Sequence, residues 1–233
     1  MTASDFLRRA SPGFTGRRRF RGGGDVVAGV VASATLLARL PRTSVALTDS
    51  ASGRAIRAHL TERRYGIPRY RIAQGVLPIP ESIDAYLRGR HRQAVRTNLG
   101  HARALGIRCV PLTDVSQRRA YAPLVDPDLT DPWKREQLLT RSEACCWIAL
   151  DADEQPVGLA VVSIDDEAAI LWSLTGRDSP ARWLLHTQIV DTLATAGVRQ
   201  LVVNARMAPL LPPGIQYFQR LLGYRVAHVR LRD

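Results

Sequence analysis

The clearest patterning of apolar and polar positions lies in the last quarter of the chain. Residues 168–176, AAILWSLTG, form a continuous apolar run of the length a buried strand requires, and a loop separates them from a long amphipathic stretch, WLLHTQIVDTLATAGV. RQLVVNAR then reads as a second strand, GIQYFQRLL as a helix stopped by Gly223, and YRVAHVRL as a closing strand. The predicted order is strand, helix, strand, helix, strand.

Upstream the same alternation continues in shorter units. SVALTDS reads as a strand ending in turn residues, GRAIRAHLTERRYG as a helix stopped by Gly66 and Pro68, and YRIAQGVLPI as a strand interrupted at Gly75. Residues 81–106 predict an amphipathic helix. At 100° per residue, Leu87, Ala94, Val95, Leu99, Ala102 and Leu105 share a face of about 120°, with Arg92, Arg96 and Arg103 on the adjacent stripe. Gly89 and Gly100 each weaken that helix by about 1 kcal/mol relative to alanine, so a bend is expected near one of them. Gly106 ends it before the strand IRCVPL. These elements divide the chain into a basic arm at 1–24, a small αβ portion at 25–79, and a larger α/β domain at 80–233, with the junction at Pro78 to Pro80.

Composition narrows the class. A chain of 233 residues, 45% hydrophobic, can bury a substantial core. Its three cysteines, two of them adjacent, do not make a secreted disulfide framework, and Cys145 and Cys146 read as reduced packing residues of a cytoplasmic protein. The five histidines lack ligand spacing, so no metal is expected. The net charge of +12 is unevenly placed. Residues 1–125 hold 22 arginines against 7 acids, whereas residues 126–233 hold 11 basic residues against 14 acids. The first half is therefore a candidate surface for phosphate-rich partners, whether an acidic cofactor, RNA or an anionic membrane. Arg17, Arg18 and Phe20 ahead of an apolar run have the look of an export signal, but Asp25 at its entrance and Arg39 at its end favour a cytosolic helix behind a basic arm. The run is too short to span a bilayer.

Two segments carry a family resemblance. The closing strand–helix–strand–helix–strand series, ending in Gly223-Tyr224, resembles the C-terminal half of the GNAT acyltransferase superfamily. LPIPESIDAYLRGRHRQAVRTNLGHARALGI, together with RDSPARWLLHTQIVDTLATAGVRQLVV, is similar to the corresponding segments of the Fem-type aminoacyl transferases and their BioF-like acetyltransferase relatives. The resemblance covers about residues 76–231. It implies a mixed, centrally splayed β-sheet flanked by helices, preceded here by a truncated N-terminal αβ portion. It further implies aminolysis, in which an amine attacks the carbonyl of an activated acyl donor and the site must accept a proton, stabilise an oxyanion and protonate the leaving group.

What the resemblance implies for individual residues is mixed. The donor's phosphates would meet the loop from Gly176 to Arg182, where members usually offer a glycine cluster at a helix N-terminus. This loop has one glycine and a proline, so Arg177, Ser179 and Arg182 are the candidates for holding the phosphates of an acyl-CoA by charge-assisted bonds. Ser179 is equally suited to cap the helix, with Pro180 at its first position. Many members carry an acid tyrosine four residues before the closing glycine; here that position is Gln219, and Tyr217 is the nearest substitute. Asn204, polar within an apolar run, is the second catalytic candidate. Arg92, Arg96 and Arg103 are candidates for substrate or polyanion contact, and Trp172 for lining an acyl pocket. Asp165, Asp166 and Glu167 read as an exposed hairpin turn, and Asp126, Asp128 and Asp131 as a loop bordering the acceptor cleft. Three functions remain open: acyl transfer from acyl-CoA to a small-molecule or peptide amine, a Fem-like transfer from aminoacyl-tRNA, and a non-catalytic binding module of the same fold. The oligomeric state stays open.

Overall fold

The computed structural model describes residues 39–64, 67–68, 73–125, 141–177, 179–203 and 213–232. The elements are β1 (Arg42–Ala46), α1 (Ala51–Thr61), β2 (Arg63–Arg64), β3 (Ile67–Pro68), β4 (Gln74–Pro78), α2 (Ile83–Leu87), α3 (Gln93–Ala104), β5 (Arg108–Leu112), α4 (Val115–Val125), β6 (Cys145–Leu150), β7 (Pro156–Ile164), β8 (Ala168–Gly176), α5 (Ser179–Thr195), β9 (Gln200–Val203), α6 (Pro213–Leu221) and β10 (Arg225–Arg232). Eight strands form one mixed sheet in the order β1-β10-β4-β9-β8-β7-β6-β5, and β2 with β3 makes a separate two-stranded turn. Both β1 and β4, from before the expected junction, hydrogen-bond within the same sheet as the strands that follow it. The basic arm at 1–24 lies outside the described residues.

The sheet has a core on each face, and β8 shows why. Its alternate residues Ala169 and Leu171 join one cluster with Val95, Leu99, Leu185 and Ile189, while Ala168, Ile170 and Trp172 join the other with Ile56, Leu60, Ile148 and Val202. The period of two that sends successive side chains to opposite faces demands apolar residues at every position of a strand covered on both sides. Helix α5 covers the first face. Nine of its residues are buried, on more than one side, because α3 packs against it from outside the sheet. Each of its fully buried Leu and Ile side chains contributes about 1.5–3 kcal/mol by leaving water.

The long helix expected at 81–106 is broken as anticipated, at Gly89 rather than Gly100. α2 ends at Leu87, Gly89 takes φ 91°, and a 3₁₀ turn at Arg90–Arg92 leads into α3. A positive φ is cheap only for glycine, whereas Gly100 sits in regular helix. Val95, Leu99 and Ala102 are buried as the periodicity predicts, but Leu105, at the helix end, is 48% exposed.

Strand β10 changes partner partway. Arg225–Ala227 pair antiparallel with β4, and from His228 onward the strand pairs parallel with β1. Past this hand-over the ribbon returns over the starts of β8 and β9: Arg232 bonds Glu167, and Thr43 Oγ1 donates to Gln200 Oε1 at 2.8 Å. Asp165 fastens it further. Far from an exposed turn residue, Asp165 is 7% exposed and accepts from Thr48 N, Thr48 Oγ1 and Ser50 Oγ at 2.6–2.7 Å. Burial acts to raise its pKa, and the hydrogen bonds from Thr48, Ser50 and Asp166 outweigh burial to leave it lowered. The hairpin was foreseen; its use as the anchor for β1 and α1 was not, because the partners lie more than a hundred positions away in sequence.

Candidate functional site

The sheet is interrupted at its centre. β8 and β9 run parallel and pair over four positions, from Ala168↔Gln200 to Leu171↔Val203, and β8 continues to Gly176 beyond the end of that register. At the same point its pairing with β7 slips: Val162 faces Leu171 and Val161 faces Ser173, leaving Trp172 as an extra residue. A bulge bends the strand that carries it and increases its twist, so β8 turns away from β9 as the shared register ends. The result is a notch bordered by the last residues of β8, the end of β9 and the two helices that follow these strands. Asn204, the residue after β9, lies outside the described residues, as do Asp126, Asp128 and Asp131.

Helix α5 starts at the top of β8. Its first residue is Ser179, and Pro180 is the second rather than the first. The Ser179 hydroxyl accepts the indole N–H of Trp183 at 3.2 Å, and Pro180 is buried. Arg177 is exposed, and its backbone N–H donates to Val157 O at 2.9 Å. Arg182 is half-buried, its Nε has no hydrogen-bond partner, and its guanidinium lies 5.7 Å from the ring centroid of Phe218 on α6. Trp183 meets the same Phe218 edge to face at 4.8 Å. This end of α5 offers positive charge more than backbone amides.

Helix α6 closes the notch from the other side. Tyr217 points outward, 56% exposed, with the Arg220 guanidinium 5.3 Å from its ring centroid. Gln219 is turned inward: its Oε1 is 3.5 Å from the point a Cβ on Gly75 of β4 would occupy, beside Val203 and Tyr224. The residue at the family's tyrosine position thus faces the end of β9, and the substitute tyrosine faces solvent. The 200° separation of the two around one helix dictates this.

The arginine stripe splits into two groups. Arg92 and Arg96 turn inward. Arg92 Nη1 donates to Leu221 O at 3.2 Å, its guanidinium stacks 4.5 Å from the centroid of Tyr86, and it abuts Gly223 so closely that a Cβ there would collide with it. Arg96 Nη1 donates to Leu87 O and Gly89 O, and Nη2 to Gln93 Oε1. These side chains fasten backbone carbonyls, a correction to their reading as polyanion contacts. Arg103 is exposed, as are Arg88 and Arg90 nearby.

Behind Arg92 lies a buried group that the sequence reading missed. His186 of α5 is fully buried, its Nε2 is 3.0 Å from Tyr224 Oη, and its Nδ1 has no partner. Tyr86 Oη donates to Leu222 O at 3.1 Å. Burial, reinforced by the Arg92 charge, lowers the His186 pKa to about 3, and burial raises those of Tyr86 and Tyr224. All three are neutral at ordinary pH. The signal available in the sequence was position: His186 stands three residues from Trp183 and from Ile189, on the inner surface of an apolar helix.

A second polar group occupies the other face of β8. Trp172 is 3% exposed and sits in that face's core. Its indole N–H donates to Ser163 Oγ at 2.6 Å, and Ser163 Oγ donates to Glu143 Oε1 at 3.4 Å. His59 meets the indole edge to face at 5.2 Å, and the Arg141 guanidinium lies over its face at 3.7 Å. Buried Arg118 of α4 donates to the carbonyls of Arg141 and Ala144 at 2.7 and 2.8 Å. Trp172 is therefore an anchored core ring whose free face is covered by an arginine. The cysteines are unpaired, and burial, with a smaller effect of the neighbouring Cys146, pushes the Cys109 thiol up to about 12. Among the described residues no cluster of His, Cys, Asp or Glu could hold a metal, and no helix is long and apolar enough to cross a membrane.

No protein-family model and no curated protein sequence matches the chain. Solved structures do. FemX is similar with a TM-score of 0.51 at 10% identity, over 88% of this chain and 75% of its own. The L-PGS of Bacillus licheniformis is similar over 66% of this chain and 58% of its own, at 10% identity and a TM-score of 0.47. A GCN5-related N-acetyltransferase of Kribbella flavida is similar over 66% of this chain and 54% of its own, at 12% identity and a TM-score of 0.39. The chain thus spans under three fifths of the length of the last two. The eight-stranded mixed sheet flanked by helices, parted between β8 and β9, is a GNAT-like fold of the kind that FemX has.

Proposed function

We propose that the protein transfers an acyl group from an activated donor to an amine. The observation that carries this reading is the end of the β8–β9 register at Leu171↔Val203, beside the bulge at Trp172. Where a parallel pair ends inside a sheet, main-chain groups of the longer strand lose their ladder partners and become available to a ligand. Such backbone donors, fixed in place before the reaction, suit the oxyanion that forms when an amine adds to a carbonyl.

An acyl-CoA is the donor this reading favours. Arg177 and Arg182 would meet its phosphates at the start of α5, with Ser179 beside them, and charge-assisted bonds would replace a glycine-rich amide cradle. Gln219, turned toward Val203, is suited to orient the donor's carbonyl by its amide. Tyr217 and Asn204 are the proposed sources of the proton for the leaving group. Isothermal titration with acetyl-CoA and free CoA tests the donor: micromolar binding weakened at least tenfold by Arg182→Ala supports it, and absence of binding to either removes it. Turnover with amine acceptors tests the chemistry. Tyr217→Phe lowers kcat about tenfold or more if the phenol donates the proton, and unchanged turnover removes Tyr217 from the mechanism.

A second reading uses aminoacyl-tRNA as donor. It is favoured by the Fem-like helix and by the basic first half of the chain, with Arg88, Arg90 and Arg103 free to face a phosphate backbone. Binding of tRNA that survives moderate salt supports it; binding that vanishes steeply with salt marks generic phosphate attraction. A passive binding module is the third reading, favoured by the single glycine in the donor loop and by Gln219 at the tyrosine position.

A further inference from the structure

The polar group around Trp172 has no task in the transfer chemistry, yet it borders the notch. Trp172 is the residue immediately after Leu171, where pairing with β9 ends. Its ring is fixed by the hydrogen bond to Ser163 and by the edge of His59, and the ring face is covered by a guanidinium at 3.7 Å. Glu143 supplies a carboxylate 3.7 Å from Arg141 Nη1, so an aromatic face and a carboxylate converge on one cation. Arg118 holds the carbonyls of Arg141 and Ala144, which pins the turn carrying both charged side chains. The Arg141 and Glu143 side chains remain 22% and 17% exposed. The Arg141 side chain can therefore swing out while its backbone stays in place.

We propose that the face of Trp172 is a recognition seat for a cationic group of the acceptor, and that Arg141 fills it when the acceptor is absent. The proposal rests on the reading of the notch as an amine-acylating site. Its chemistry specifies which nitrogen is held. A seat built from a carboxylate and a π face favours the charged form of its guest, whereas the attacking amine must give up its proton. The seat therefore binds a second cation, and the substrate class is a small amine bearing a further ammonium or guanidinium group. Trp172 and Glu143 would set specificity without touching the reacting atoms.

The test needs no acyl donor. The indole N–H resonance of Trp172 is identified by its loss in Trp172→Phe and followed in isotope-labelled protein during titration with n-butylammonium chloride or, at matched ionic strength, n-butanol. In Arg141→Gln, with the seat vacated, butylammonium is expected to bind at least tenfold more tightly than in the parent protein. Adding Glu143→Gln should abolish that gain, and butanol should shift the resonance in neither protein. Equal response to butanol, or no gain in Arg141→Gln, overturns the seat. Should Arg141→Gln fail to fold, the parent protein decides: a resonance that butylammonium moves no more than sodium chloride does also overturns it. Failure of the transferase reading shows separately, as absent donor binding or turnover with the seat still occupied by the amine.

Discussion

The two polar groups on either side of β8 are built from similar parts and differ in one. On the α5 side, His186, Tyr224, Tyr86 and Arg92 surround the end of α6, and among the printed bonds and stacks of that group no carboxylate appears. On the other side, Trp172, Ser163 and Arg141 include Glu143. In the first group, backbone carbonyls satisfy the cation, so Arg92 is an internal clamp that cannot be replaced without loosening α6. In the second, a mobile side-chain carboxylate and an aromatic face satisfy it, and any cation of suitable size can take its place. The partner of the arginine separates a structural role from a role in recognition.

The largest expected effect tests the clamp. Arg92→Ala removes the bond to Leu221 O and the stack on Tyr86, and should destabilise the protein by about 2–4 kcal/mol in urea unfolding. Gly223→Ala should cost about 1–3 kcal/mol, since Gly223 has φ 87° and its open side is filled by Arg92. Arg103→Ala, on the same helix but exposed, should stay within about 0.5 kcal/mol. Equal effects of Arg92 and Arg103 would erase the distinction between inward and outward arginines.

The next effect is one of pH. In the unfolded chain His186 titrates near its ordinary value of 6.5, while in the fold burial and Arg92 hold it to about 3. Above pH 6.5 it is neutral in both states and its contribution is fully present. As pH falls below 6.5 the unfolded state takes up a proton that the fold refuses, so stability falls by about 1.4 kcal/mol per pH unit until about pH 3. His186→Leu should lower the plateau by removing the bond to Tyr224 and should flatten the slope between pH 6 and 4.5 by about one proton. An unchanged slope would show that His186 is not the group refusing the proton.

How far these features were legible in the sequence follows from the range of the interactions. β8, α5, β9, α6 and β10 were readable because periodicity and turn residues are local. The break at Gly89 was readable because glycine weakens a helix wherever it stands. The inward turn of Arg92 and Arg96 was not: a basic stripe beside an apolar one looks solvated until the partners, the Leu221 carbonyl for one and the Gly89 turn for the other, are in place. Trp172 was read correctly as a large ring in the central strand, but its anchoring depends on Ser163 and its covering on Arg141, neither of which carries a motif. The same holds for Asp165, whose partners Thr48 and Ser50 come from a different part of the chain. Folding assembled these groups from separate segments, and no spacing rule spans such gaps.

A smaller effect sharpens the comparison at Trp172. Ser163→Ala leaves a buried indole N–H without its acceptor and should cost about 1–3 kcal/mol. Because the penalty belongs to the orphaned donor, Trp172→Phe should cost less in the Ser163→Ala background than in the parent protein, giving a coupling of about 1 kcal/mol in a double-mutant cycle. Additive costs would mean the two side chains are neighbours without being partners.

The smallest effect is the most telling, because it distinguishes a replaceable cation from a fixed one. Arg141 and Glu143 form a partly exposed pair at 3.7 Å, and such pairs contribute at most about 1 kcal/mol once side-chain ordering and solvent screening are counted. A cycle of Arg141→Gln and Glu143→Gln should therefore give a coupling below about 1 kcal/mol, shrinking further as salt rises. The cost of Arg92→Ala should scarcely respond to salt, since its partners are a carbonyl and a ring. A pair worth so little in stability can be broken by a ligand at little cost. If the measured coupling instead matched the loss at Arg92, Arg141 would be a second clamp and the face of Trp172 would be closed to any guest.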